Sequence, residues 1–170
     1  MNSKQEKRIL GILVLYALVV AGSGLGIDVG CDAAKYAWVS REMSETGHFL
    51  SPSIMGEPYT QKPPFSFWLG ALSFRLLGVS NLAFKLPYLL YAFLGIWALY
   101  RLGRSLYDET TGRMTALFGG TSALFFLYTM DIHTDTLLFT NVSLSLWLLH
   151  EYLKQRKRLF LFAGGIALGL

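Results

Sequence analysis

The chain has 170 residues, 53% of them hydrophobic and only 15% charged, with a mean hydropathy of +0.42, whereas soluble domains carry about 25% charged residues. That balance excludes an ordinary soluble domain and points to an integral membrane protein. The net charge of +4 does not signal nucleic-acid binding, because the basic residues stand in short clusters beside apolar runs, as orientation signals do.

Met1 to Arg8 is basic, and Ile9 to Ile27 then runs without a charge, which predicts a first transmembrane helix with its amino terminus in the cytoplasm. The rival reading is a cleavable signal peptide, since Ala21, Gly22 and Ser23 follow the apolar run. Either way the next segment lies outside. Cys31 is the single cysteine, so no intrachain disulfide is possible. Ala33 to Thr46 lacks proline and glycine and predicts a short helix, with Asp32 as its N-cap and Gly47 as its stop. Tyr36, Val39 and Met43 share one face, as in a helix lying in the membrane interface. His48 to Pro64, with Pro52, Gly56, Pro58, Pro63 and Pro64, reads as an ordered loop.

Phe65 to Leu77 is apolar but short for a span, which needs about 20 residues. If it crosses the membrane, Arg101, Arg104 and Arg113, and later Lys154, Arg156, Lys157 and Arg158, all fall outside. If it lies at the outer surface, spans at 82–100, 114–130 and 136–153 put both basic clusters in the cytoplasm, as the charge bias requires. The second topology is the expectation: an outer loop with juxtamembrane helices over 28–81. Lys85, inside a span, is expected to snorkel at its outer end, and Gly119 with Gly120 to allow close helix packing. The apolar run 159–170 is too short to span by itself. The 170 residues are therefore expected to be the amino-terminal part of a longer transmembrane domain.

This topology brings Asp32, Lys62 and Asp135 to the outer face. Three blocks carry a family resemblance: Asp32-Ala-Ala-Lys-Tyr36-Ala, Arg41-Glu42-Met43, and Gly56-Glu-Pro-Tyr59-Thr-Gln-Lys62-Pro63-Pro64, continued by Leu86-Pro87 and His133-Thr-Asp135-Thr-Leu-Leu138. Together they resemble the bacterial ArnT-like and protein-O-mannosyltransferase-like enzymes, which are GT-C membrane glycosyltransferases. The resemblance implies an all-α, polytopic fold of GT-C type. It also implies transfer of a sugar from a polyprenyl-phosphate donor to a lipid or protein acceptor, at the outer face of the cytoplasmic (inner) membrane.

Such a transfer needs an acceptor oxygen to attack the anomeric carbon, a base to assist it, and a cation to steady the departing phosphate. Because a phosphate leaves readily, one carboxylate suffices where glycoside hydrolysis needs two. Asp32 is the candidate base, or the carboxylate that positions the acceptor. Lys62 is the candidate for the donor phosphate, with Tyr59 beside it, and Asp135, Tyr36 and Arg41 are further candidate substrate-binding residues. Plainer readings stand beside these: Asp32 as an N-cap alone, Lys62 as an interfacial anchor, Asp135 as a stray charge at a loop end.

Asp131, His133 and Asp135 make a weak metal signal, and no metal site is expected there. In two places the chain departs from the family pattern. Ala33 stands where relatives often have a second acid, and Gln61 where a glutamate often precedes Lys-Pro-Pro. A metal held through that glutamate in some relatives has no counterpart here, so no cofactor is expected and the use of a divalent metal stays open. The missing acid keeps a second class in view, a non-catalytic protein that binds polyprenyl phosphate or lipid headgroups. A transporter would show paired interrupted helices, which the sequence lacks.

Overall fold

The computed structural model describes residues 22–123 and 131–170, together with 11, 15, 18, 19, 125 and 127. About half of the first expected span, 9–27, therefore lies outside the described residues. The fold is all-α apart from one short hairpin: α1 (Cys31–Thr46), β1 (Ser53–Ile54), β2 (Glu57–Pro58), α2 (Phe65–Leu77), α3 (Asn81–Leu106), α4 (Glu109–Gly120), α5 (Thr134–Gln155) and α6 (Arg158–Gly169). α3 packs against α4 and α5, α5 against α6, and α1 lies on α2, which in turn touches α3. Among the described residues α3 is the one helix long and apolar enough to cross a bilayer.

The helix over 65–77 falls where its composition predicts. α1 ends as expected at Gly47, whose φ of 78° is the left-handed conformation open to glycine. Its start differs. The N-cap is Gly30, and Asp32 lies in the first turn. The face with Tyr36, Val39 and Met43 also departs from expectation: it is buried against α2 around Phe67, Ala71 and Phe74, within a core that continues into Phe84 and Tyr88 of α3. Helical periodicity marks an apolar partner without saying whether that partner is lipid or protein.

The expected span 114–130 is not one described helix, since α4 stops at Gly120 and Thr121–Ser122 turn. Ser122 Oγ accepts the Phe125 N–H at 3.2 Å, as an N-cap would. α5 in contrast runs past 136–153 at both ends. Its Asn141, in an apparent glycosylation sequon, is buried and accepts a hydrogen bond from the Tyr91 hydroxyl at 2.5 Å.

Small residues set the helix crossings. A Cβ on Gly112 would stand 2.7 Å from the Tyr100 carbonyl, and one on Gly103 would stand 3.1 Å from the Gly112 Cα, so α3 and α4 meet backbone to backbone. α1 and α2 cross at Ser40 and Gly70, where a Cβ on Gly70 would stand 2.4 Å from Ser40 Oγ. Gly70→Ala is expected to lower stability, because overpacking costs about 1–3 kcal/mol and exceeds the gain of about 1 kcal/mol from helix propensity. In a Ser40→Gly background the Ser40 contacts are gone and Phe84 Cε2, at 3.2 Å, still crowds the added methyl, so the loss should shrink markedly. Thermal unfolding of the four proteins checks this; equal losses in both backgrounds would place the cost elsewhere.

Candidate active site

The site is assembled from the loop between α1 and α2, the first turns of α1 and the start of α5. Glu42 of α1 builds the loop. Its carboxylate accepts hydrogen bonds from the Ser53 hydroxyl and from the backbone N–H groups of Met55 (2.8 Å) and Gly56 (3.1 Å). Met55 and Gly56 both have positive φ, 54° and 82°, as a two-residue type I′ turn between β1 and β2 requires. The hairpin then delivers Tyr59, whose N–H donates to the Pro52 carbonyl at 2.8 Å. Trp68 Nε1 donates to the Phe49 carbonyl at 2.6 Å and ties the loop to α2. From Tyr59 the chain passes through Lys62 into α2.

Lys62 and Asp135, more than seventy residues apart, line one cleft of about 260 Å³. Its polar edge adds Thr134, Ser66 and Asn141, and its wall is Phe65, Leu137, Leu138, Val142, Leu168 and Leu170. Tyr36 and Tyr59 do not line this cleft; they are buried in the core, with ring centroids 6.0 Å and 5.7 Å from Phe67. Burial raises the Tyr36 hydroxyl above its ordinary value, and Tyr59, Asp32 and Asp135 add to the rise in that order. Tyr36 therefore stays protonated at neutral pH, and both carboxylates lie within electrostatic reach of it.

Asp32 is exposed in the first turn of α1, where the helix dipole favours an anion. Its carboxylate pairs with Lys35 at 3.2 Å, an exposed i,i+3 contact that contributes little to stability. Asp32 does not line the cleft; it lies within electrostatic reach of the Tyr36 hydroxyl. Arg41 is not brought to the group. It stands two and a half turns along α1 from Asp32, on the opposite side of the helix, and pairs with Glu45 at 2.8 Å.

Two further side chains hold the site together. Asp131 Oδ1 accepts the Gly30 N–H at 2.9 Å, so a residue in the loop before α5 satisfies the amide of the residue that caps α1; its other oxygen stands 3.6 Å from His133 Nε2. Lys85 does not snorkel. It is fully buried, and its ammonium donates to the carbonyls of Gly24 (2.9 Å) and Ile27 (2.7 Å). Glu42 and Asp131 carry no sequence signal for these roles, since their partners are set by tertiary approach. Among the described residues no group of three or more His, Cys, Asp or Glu side chains is placed to hold a metal.

A model of the dolichyl-phosphate-mannose-protein mannosyltransferase family matches residues 61–170, including Lys62 and Asp135. The chain belongs to that family. Similar proteins include undecaprenyl phosphate-alpha-4-amino-4-deoxy-L-arabinose arabinosyl transferase 2 of Pseudomonas fluorescens (strain Pf-5), 27% identical over 92% of this chain and 27% of that protein. The transferase 1 of P. fluorescens strain Pf0-1 is 28% identical over 59% of this chain and 17% of its own length. The crystal structure of ArnT from Cupriavidus metallidurans in the apo state superposes with a TM-score of 0.76 at 24% identity, over 86% of this chain and 28% of that one. The mannosyltransferase-family chain thus has the expected all-α GT-C type of fold, and it spans about a quarter or less of the length of these relatives.

The hydrogen bonds to Glu42 give two expected outcomes. The Ser53 hydroxyl, with the Gly56 and Met55 amides, holds the Glu42 carboxyl below its ordinary 4.5, against a smaller opposing effect of burial. A carboxyl lower in the folded than in the unfolded chain stabilises the fold above the unfolded value, and that contribution disappears as pH falls through the folded value. Glu42→Gln at neutral pH should therefore reproduce the loss that acid causes in the parent, read as faster amide exchange at Met55 to Tyr59 after correction for intrinsic rates. Asp131→Ala should speed exchange in the first turn of α1, while Asp131→Asn, which keeps an acceptor oxygen, should largely spare it. Equal effects of the two Asp131 variants would mean that the bond to Gly30 is not what holds α1.

Proposed function

We propose that the chain supplies the outer-face half of a glycosyltransferase site, which moves a sugar from a polyprenyl-phosphate donor to a lipid or protein acceptor. The supporting observation is the convergence of Lys62 and Asp135 on one cleft, with Asp32, Tyr59 and Asp135 within electrostatic reach of Tyr36. Membership of a mannosyltransferase family, and relatives named as undecaprenyl-phosphate aminoarabinose transferases, support the same class.

In this reading the acceptor oxygen attacks the anomeric carbon as the bond from that carbon to the phosphate oxygen breaks. The phosphate leaves with the bonding electrons, on the polyprenyl chain, and Lys62 offsets the charge that accumulates on it. Asp32 takes the acceptor proton, or orients the acceptor when that is itself an ionised phosphate. Tyr36, protonated, presents a hydroxyl within electrostatic reach of both carboxylates. Asp135, in the lining of the cleft with Lys62, contacts sugar hydroxyls. The site faces the periplasm or cell exterior of a multi-pass inner-membrane protein. Arg41 has no part in it.

In the full-length protein, Asp32→Asn should cut sugar transfer about 100-fold or more, as loss of a general base does, while leaving donor binding in place. Lys62→Met should raise the donor concentration needed for half-maximal rate more than it lowers the maximal rate. Arg41→Gln should stay near the parent. Transfer assayed with polyprenyl-linked sugars checks all three. Unchanged transfer by Asp32→Asn would remove Asp32 from the mechanism, and donor binding by the parent with no transfer to any acceptor would favour a non-catalytic lipid-phosphate binder.

A further inference from the structure

The end of the bundle opposite the cleft carries an arginine that the proposed reaction does not use. On α3 the residues Leu90, Leu94, Trp97 and Arg101 recur at i, i+4, i+7 and i+11, one stripe of the helix. The first three are 61%, 37% and 42% exposed. The Arg101 guanidinium lies 5.3 Å from the Trp97 ring centre and 4.8 Å from that of Trp147 on α5. The two indoles meet edge to face at 4.8 Å.

The acids nearby are already engaged. Glu109 pairs with Arg104 at 2.8 Å and with Arg113 at 3.2 Å, and Glu151 accepts from Ser105 and Gln155. Arg101 pairs with no carboxylate among the described residues. One turn beyond it, Lys154 reaches Ser105 Oγ at 3.2 Å, and Arg156, Lys157 and Arg158 follow in the turn into α6. From Asn81 to Arg101 the helix rises about 30 Å at 1.5 Å per residue, the thickness of a bilayer's hydrocarbon core. With Asn81 at one surface, Arg101 stands at headgroup depth on the other.

We propose that this stripe binds an anionic phospholipid of the leaflet at the basic end. The phosphate meets the guanidinium, which the two indoles hold with its N–H edge available, and an acyl chain lies along Trp97, Leu94 and Leu90. Charge decides the occupant: a zwitterionic lipid gains less from an unpaired cation, and a neutral helix packed over the stripe would bury that cation without a partner. The inference is independent of the sugar-transfer reading.

The test is the unfolding temperature of the full-length protein in neutral detergent, titrated with dioleoyl phosphatidylglycerol, with dioleoyl phosphatidylcholine, or with inorganic phosphate. Phosphatidylglycerol should raise it more than phosphatidylcholine, and phosphate alone should leave it unchanged. Arg101→Gln should weaken the phosphatidylglycerol response about fivefold. Arg101→Lys, which keeps the charge and the fold but not the planar face, should weaken it less. The triple change of Arg156, Lys157 and Arg158 to Gln should retain a response that depends on Arg101. The proposal is overturned by equal responses to the two lipids, by an unchanged response in the Arg101 variants, which would mean that another part of the protein covers the stripe, or by loss of the response only in the triple variant, which would assign it to the basic turn.

Discussion

A fully buried ammonium must be satisfied where it stands, because an unpaired charge in an apolar interior costs more than most folds can spare. Lys85 meets that demand by donating to the carbonyls of Gly24 and Ile27, at the end of the segment that precedes α1. Carbonyls at the end of a helical segment need donors; the Gly24 carbonyl already accepts the Ile27 N–H at 3.3 Å, and Lys85 adds a charged donor to it and to Ile27. One bond set therefore serves both needs and fixes the segment before α1 to the outer part of α3. Asn81, at the start of α3, adds a bond of 2.7 Å to Asp28, and Asp131 takes the Gly30 amide. Within a few residues the chain before α1 is fastened to α3 and to the loop before α5.

Those fastenings are what bring the candidate site together. Asp32 and Tyr36 sit one and two turns into α1, so the position of Gly30 decides where they point. Asp135 sits just beyond Asp131 and moves with it. On the other side Glu42 anchors the hairpin that delivers Tyr59 and Lys62. The chemistry-bearing residues are largely exposed or on loops, while the residues that aim them are bonded on two sides. A loop site on a rigid scaffold is the usual arrangement where precision is needed at a surface.

Much of this was legible in the sequence, for identifiable reasons. Phe65 to Leu77 is bounded by Pro64 and Gly78, and its composition alone gives the helix. The common cleft of Lys62 and Asp135 follows from the outer-face topology that the basic clusters favour, together with the family resemblance. What escaped were contacts between residues far apart in sequence. Asp32 looks like an N-cap because an aspartate before a helix usually is one, yet here the amide of Gly30 is satisfied by a carboxylate 101 residues later. Lys85 looks like a snorkelling side chain because it lies near the outer end of an apolar helix; nothing local announces two carbonyls waiting for it. Arg41 stands in a matched block, but two and a half turns of helix put it on the side opposite Asp32, and sequence blocks do not encode direction.

The two ends of the molecule divide the charge. At the cleft end acids and bases are interleaved, with Asp28, Asp32, Asp131 and Asp135 among them, whereas bases dominate at Arg101, Arg104, Arg113 and the run from Lys154 to Arg158. An asymmetry of that kind is an orientation signal in membrane proteins, and it also sets what each end can hold. The cleft has a cation and a carboxylate in its lining beside an aliphatic wall. Such a surface suits a ligand with a charged head, hydroxyls and a long apolar tail, because each part meets its own kind of partner without leaving Lys62 or Asp135 desolvated and alone. At the opposite end the indole pair holds the Arg101 guanidinium, which pairs with no carboxylate among the described residues, and an anionic headgroup would complement it there.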